Sequence, residues 1–461
     1  MIKCLSIVLL ALFSTMLAAA GEVYNEVYRP QFHFSPKKNW TNDPNGLVYY
    51  KGTWHLFFQH NPKGIEWGNM TWGHATSPDL VHWTEHGLAI EPDALGTIFS
   101  GSAVVDWNNT SGLQTGDEKV LVAFYTAAGK PFTQCMAYSN DAGKTWVKYE
   151  KNPIILNIEE GNRDPKVIWH EASKKWVMAL FLIKNDFALF GSTNLKEWTL
   201  LERLTIAGSG ECPDFFPMAV DGKAENVKWV FAPADGNYLI GSFDGTAFTP
   251  EQDKQEADWG KNFYACQTYS DAPDGRRIQI AWMNGGKYPR MPFNQQMSFP
   301  CELTLRAFPE GLRICRNPVK EIELLRERTQ EWSGLTLNPG DNPLAETTGD
   351  LFDIRAELAF DPANAPSDFG FILRGEAVKY DPAKKEISCL GATAPMDAPD
   401  GEIVLQLLLD RTTIECFGNG GKMSMSSCFL PNPKNMSIGL YTNGAPVTIK
   451  KLEAHRLKSS W

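Results

Sequence analysis

Three times in this chain a carboxylate stands just ahead of a proline and opens a pair of strand-like runs: Asp43-Pro44, Asp164-Pro165 and Glu211-Cys212-Pro213. Two further hairpins keep the same beat without the acid, opening at Ser100-Gly101-Ser102 and at Tyr264. Successive openings at 43, 100, 164, 211 and 264 are separated by 57, 64, 47 and 53 residues. A repeat of roughly 40–50 residues built from strand pairs is the signature of a β-propeller. Units arranged around an axis would bring the three acids together at one mouth.

A second repeat runs in phase with the first. Ser77 to Trp83, Ser139 to Trp146, Ser192 to Trp198 and Ser242 to Phe248 each pass from a serine, through Asp or Asn two residues on, to an aromatic ring. Their serines lie 62, 53 and 50 residues apart, and each stretch follows one of the hairpins. The physical reading is a polar turn between a blade's outer strands, its ring plugging the gap to the neighbouring blade. Residues 25–315 therefore read as five blades. The stretch Pro318–Arg328 differs: proline at a helix start, early acids, apolar positions at 319, 322, 324 and 325, and arginines at the end. It predicts a short connecting helix within a linker over 316–329. Beyond it, runs such as DLFDIRAELAF, GEIVLQLLLD and PVTIKKLEAHRL, divided by Pro, Asn and Gly turns, predict a β-sandwich over 330–461. The expected fold is all-β: a five-bladed β-propeller followed by a C-terminal β-sandwich.

Composition narrows the function classes. Residues 1–20 read as a secretory signal, with Lys3, an apolar core too short to span a bilayer, and Ala18-Ala19-Ala20 before Gly21. No membrane span is expected in the rest. The net charge of −10 and the lack of a basic block exclude nucleic acid as a partner. Eight cysteines lie beyond the leader with no Cys-x-x-Cys pair, and the eight histidines are scattered, so neither a metal nor a cofactor is expected.

An Asp-Pro pair alone is an ordinary turn dipeptide, and Asp361-Pro362 and Asp381-Pro382 illustrate that bland case. What lifts Asp43, Asp164 and Glu211 above it is their shared phase in the repeat. Retaining glycoside hydrolysis needs a carboxylate nucleophile and a carboxylic acid about 5–5.5 Å apart, a spacing that a narrow propeller mouth can supply. Asn42 and the Asn45-Gly46 turn favour an ionised Asp43, and Arg163 beside Asp164 is expected to hold that side chain charged. Glu211, among glycines and ahead of Phe215 and Phe216, is expected to have the raised pKa of a general acid.

WTNDPNG at 40–46, FFQ at 57–59, WGNMTWGH at 67–74, FSGS at 99–102, RDP at 163–165 and ECPD at 211–214 resemble, in order, the motifs of glycoside hydrolase family 32, the invertases, inulinases and levanases. LLLDRTTIECFGNGG looks like that family's C-terminal sandwich, so the resemblance spans nearly the whole chain beyond the leader. It implies a retaining β-fructofuranosidase in which Asp43 is the nucleophile, Asp164 the transition-state stabiliser and Glu211 the acid/base. Asn42, Gln59, Trp67, Phe99, Ser100, Arg163, Cys212 and Trp282 match positions lining the fructose pocket. Two departures, Gly285-Gly286 for a second asparagine and Cys301 for an arginine before Glu302, are expected near the rim. The stretch FSGSAVVDWNNTSGL looks most like exo-acting fructan hydrolases. The expected substrates are levan, inulin or sucrose. A fructosyltransferase or an endo-fructanase of the same family, and a non-catalytic fructan-binding propeller, stand as the alternatives, and the oligomeric state is left open.

Overall fold

The computed structural model describes residues 24–461, so the leader expected over 1–20 lies outside the described residues. Five antiparallel sheets follow one another in sequence, their innermost strands being Asn39–Tyr50, Thr97–Asp106, Arg163–His170, Asp214–Ala219 and Tyr264–Thr268. Each innermost strand packs against the next, and the fifth packs against the first, which closes the ring.

Strand alternation builds the seams between blades. Ala103 and Val105 turn toward the first blade, joining Phe57 and Trp72, whereas Val104 turns to the third, joining Val167 and Met178. Middle strands are sandwiched between two such seams, so Val120–Ala128 and Lys175–Ile183 read as unbroken apolar runs. The outer strand Thr199–Thr205 has water on one side and is correspondingly polar. The Ser-x-Asx turns sit where the second repeat placed them. Asp79, Asp141, Asn194 and Asp244 each accept a backbone N–H, from His82, Thr145, Glu197 and Ala247, at 2.8–2.9 Å. Trp146 then meets Phe57 of the preceding blade edge-on at 5.3 Å, and Trp198 meets Phe124 at 6.0 Å.

The helix expected within 316–329 is a single 3-10 element, Lys320–Leu325, and the strand Arg326–Leu337 starts at once after it. Val319, Ile322 and Leu325 are buried while Leu324 is exposed, a spacing of three that suits a 3-10 turn and not the 3.6 of an α-helix. From there a six-stranded and a five-stranded sheet face each other across one apolar core. Val447–Leu457 shows the pattern that makes this a sandwich: Val447, Ile449, Leu452 and Ala454 point in, and Thr448, Lys450, Lys451 and Glu453 fill the positions between. Cys301, expected near the rim, is fully buried beside Arg316, because its strand is covered by the sandwich. Among the described residues all eight cysteines are free thiols.

Buried charge joins the two units. His33, ahead of the first blade, lies between Asp410 and Glu415 of one sandwich hairpin, 2.8 Å from each. Arg316 lies 2.7 Å from Asp258, which also accepts from the amide and hydroxyl of Ser426 across the junction. Burial alone would depress His33, yet the two carboxylates raise it to about 9. His33→Ala should therefore cost about 3–5 kcal/mol by stranding buried carboxylates, read by denaturant unfolding at pH 6. Because the folded pKa lies above the unfolded one, the His33 contribution is complete below about pH 6.5 and is lost as pH rises through about 9. The difference between wild type and variant should shrink across that window, and a difference that stayed constant would exclude the charge as its source.

Candidate active site

At the head of its inner strand every blade makes the same departure from the ladder: two residues face one. Asn42-Asp43 stand opposite Gln59, Phe99-Ser100 opposite Thr126, Asp164-Pro165 opposite Leu180, and Ala265-Cys266 opposite Ala281. In the fourth blade the Ala234 amide bonds the Glu211 carbonyl, and pairing resumes at Asp214 with Ala232, which leaves Cys212-Pro213 opposite Pro233. Such bulges bend the strand and re-aim its side chains. They also account for the acid-proline spelling, since a proline lacking a donor is tolerated where the ladder is already broken. Asp164, Glu211 and Cys212 take left-handed backbone conformations, with φ of 67°, 61° and 35°. That strain, of order 1–3 kcal/mol per residue, is typical of functional sites.

The five bulges converge. Asp43 Oδ2 accepts from Ser100 Oγ at 2.5 Å, and its Oδ1 accepts from Asn42 Nδ2 at 3.1 Å. Asp164 Oδ2 accepts from the Cys212 amide at 3.0 Å, while its own amide donates to Thr126 Oγ1 at 3.0 Å. The Cys212 thiol lies between the two aspartates, 3.5 Å from Asp43 and 3.4 Å from Asp164. Burial keeps that thiol protonated, so it acts as a donor to both carboxylates. Burial also pushes Asp43 above the ordinary aspartate range, against its three hydrogen bonds, and lifts Asp164 to about 7.

Arg163 does not do what its place in the sequence suggests. Its Nη2 donates to Glu211, and its Nε stays 3.7 Å from Asp164. The Tyr264 hydroxyl donates to the other Glu211 oxygen. Burial would raise Glu211, but these two donors outweigh it and leave the carboxyl below the ordinary glutamate range. The electrostatic expectations are thus reversed: burial shifts Asp43 and Asp164 toward their protonated forms, and its two donors shift Glu211 toward its charged form. One cation serves three carboxylates, and the bulge gives it to the one a blade's breadth away in sequence, not to its chain neighbour.

All eleven residues expected at the site line a single cavity of about 170 Å³, together with Tyr264. Trp67 is 58% exposed and stands at the rim, meeting Phe99 edge-on at 5.9 Å, so it is not blade core. Trp282 is steered by Gln295, whose Oε1 accepts its indole N–H at 3.1 Å. Gln59 is buried and its Nε2 has no protein acceptor, a donor facing a pocket that lacks one. Tyr264 was legible as the fifth member of the repeat; its bond to Glu211 was not, because no spacing joins residues 53 apart on different blades.

A pocket of that size at a propeller mouth, with three converging carboxylates and an unpaired donor, is the equipment of a glycoside-cleaving enzyme. The N-terminal domain of glycosyl hydrolases family 32 matches residues 33–318, and the family's C-terminal domain matches 321–456. The levanase of Bacillus subtilis (strain 168) is 42% identical over 96% of this chain and 72% of its own length. An extracellular exo-inulinase of Aspergillus niger is 33% identical over 97% of this chain and 98% of its own. The crystal structure of exo-inulinase from Aspergillus awamori has a TM-score of 0.87 at 30% identity, covering 95% of this chain and all of that one. The chain belongs to glycosyl hydrolase family 32.

Tyr264→Phe should move the Glu211 carboxyl titration to higher pH, measured by NMR on protein labelled at the glutamate carboxyl carbons. An unshifted titration would leave Arg163 as the sole cause of the depression.

Proposed function

We propose that the protein is an exported exo-acting β-fructofuranosidase that removes terminal fructose from levan, inulin or sucrose with retention of configuration. The observation that carries this reading is the size and lining of the pocket. At about 170 Å³ it is smaller than the roughly 300–1,000 Å³ of drug-sized sites and accommodates one small sugar ring, as an enzyme taking chain ends requires. The names of the relatives, levanase and extracellular exo-inulinase, support both the substrate class and export.

In the proposed reaction Asp43 attacks the anomeric carbon, and Glu211 gives its proton to the departing glycosidic oxygen. Water then attacks the fructosyl–Asp43 ester as Glu211 takes up its proton, which restores both carboxyls. Asp164 and Gln59 hold sugar hydroxyls. The reaction needs Asp43 ionised and Glu211 protonated, the reverse of the proton placement described above. A seated sugar works in that direction: hydroxyls donating to the aspartates favour their ionisation, and exclusion of water from Glu211 favours its protonated form.

Asp43→Asn and Glu211→Gln should each lower kcat on sucrose by a factor on the order of 10⁴ or more, with unchanged circular dichroism. Wild-type turnover in either variant would remove that residue from the mechanism. Proton NMR of the first-formed fructose should show the β-furanose, and an inverted product would exclude a covalent intermediate on Asp43. Fructose alone from levan and inulin marks exo action, whereas early oligosaccharides mark endo cleavage or transfer. Because Asp164 holds its proton up to about pH 7, kcat/KM should fall as pH rises through that value. A pH–rate profile that stayed flat into the alkaline range would contradict the proton accounting.

A further inference from the structure

The inner strands of blades two to five, which bring active-site residues to one end of the axis, present a different set at the other. Val105, Ile168, Pro217 and Ser270, at the far ends of four inner strands, surround a second cavity of about 310 Å³, nearly twice the volume of the active pocket. By strand rise it lies roughly 15 Å from the carboxylates. Its inner wall includes Lys166, two residues along the strand from Asp164, whose ammonium is buried 3.2 Å from Asp214 and donates to the Thr268 carbonyl at 2.6 Å.

The lining has the chemistry of a saccharide site. Trp107 is 49% exposed and lines the cavity, so its indole face is open to a ligand there. Its N–H donates to Asp271 Oδ1 at 2.8 Å, and Asp271 Oδ2 is held by the Val105 amide at 3.3 Å, so both ring and carboxylate are fixed in advance. Trp169 and Trp176 supply further indole surface, packed edge-to-face at 5.1 Å. Arg277 lies over the Phe216 ring at 5.0 Å, and its Nε is buried with no protein acceptor. Two cations, Lys166 and Arg277, are matched by two anions, Asp214 and Asp271. Such a site favours neither an anion nor a cation. It suits a neutral, polyhydroxylated ring whose apolar face lies on an indole and whose hydroxyls bond a carboxylate and a guanidinium.

We propose that the cavity at the far end of the propeller axis is a second saccharide-binding site, which holds an internal segment of a fructan chain. The choice of fructan rests on the function proposed above, since a polymer-degrading exo enzyme gains local chain ends by holding the polymer elsewhere. A chain gripped there would keep the enzyme on one particle between catalytic events without entering the active pocket.

The test is affinity electrophoresis through gels containing levan, inulin, dextran or no polysaccharide, with all proteins carrying Asp43→Asn so that the matrix survives. Levan or inulin should retard the parent, and adding Trp107→Ala should weaken that retardation at least fivefold. Trp107→Phe, which restores a stacking face, should recover most of it. In proteins with Asp43 intact, Trp107→Ala should leave sucrose kcat/KM within about twofold of wild type while raising KM on levan. Equal retardation with and without Trp107→Ala, both folded by circular dichroism, would overturn the site. Dextran retarding as strongly as fructan would overturn the ligand. If wild type hydrolysed neither sucrose nor fructan, the functional reading would fail, while the gels would still decide whether the cavity binds saccharide.

Discussion

The break in hydrogen-bond register at the head of each inner strand is the constraint on which the site depends. An unbroken ladder would send alternate side chains into the seams on either side of a blade, where the apolar residues of these strands already go. Setting two residues against one at the head of the inner strand interrupts that alternation at the same height in all five blades, and the first strand breaks register a second time between Asn45 and Val48. Carboxylates, a serine and a thiol are thereby turned off the blade faces and onto the axis. The fold tolerates the cost because every bulge is flanked by seams of buried aliphatic and aromatic side chains that hold the strands on both sides.

Charge accounting follows from that geometry. Three acids share a buried pocket with one guanidinium, and the guanidinium together with a tyrosine hydroxyl is committed to Glu211. The aspartates are left with neutral donors, Ser100, Asn42 and Cys212, which soften desolvation without abolishing it. The result is a pocket that favours protonation on the side of the aspartates and charge on Glu211. Acid/base assignments made from which residues adjoin each other in the chain would have placed protonation on the other side.

What the sequence makes legible is what repeats. The carboxylate-proline stations, the Ser-x-Asx turns and the contrast between apolar middle strands and polar outer ones each recur, and together they specify blade number, strand order and the residues facing the axis. What it conceals depends on single events of packing. Arg163 and Asp164 are adjacent in sequence, but a bulge separates their directions. Tyr264 and Glu211 meet only because neighbouring blades do. The stretch at 319–325 has an amphipathic spelling compatible with either helix type, and its brevity and its three-residue burial decide for 3-10. Cys301, expected near the rim, proves to be buried in a cluster shared with the sandwich.

The thiols described above carry one more implication. Eight cysteines, seven of them fully buried, form no cross-link among the described residues, and the junction between propeller and sandwich is held by a shared apolar cluster, the His33 ion pairs and the hydrogen bonds from Ser426 to Asp258. Nothing in the described fold waits on an oxidant. Burial holds the pocket thiol of Cys212 in its protonated, poorly nucleophilic form. Among the described residues the integrity of the site therefore rests on packing and buried hydrogen bonds and not on a covalent cross-link.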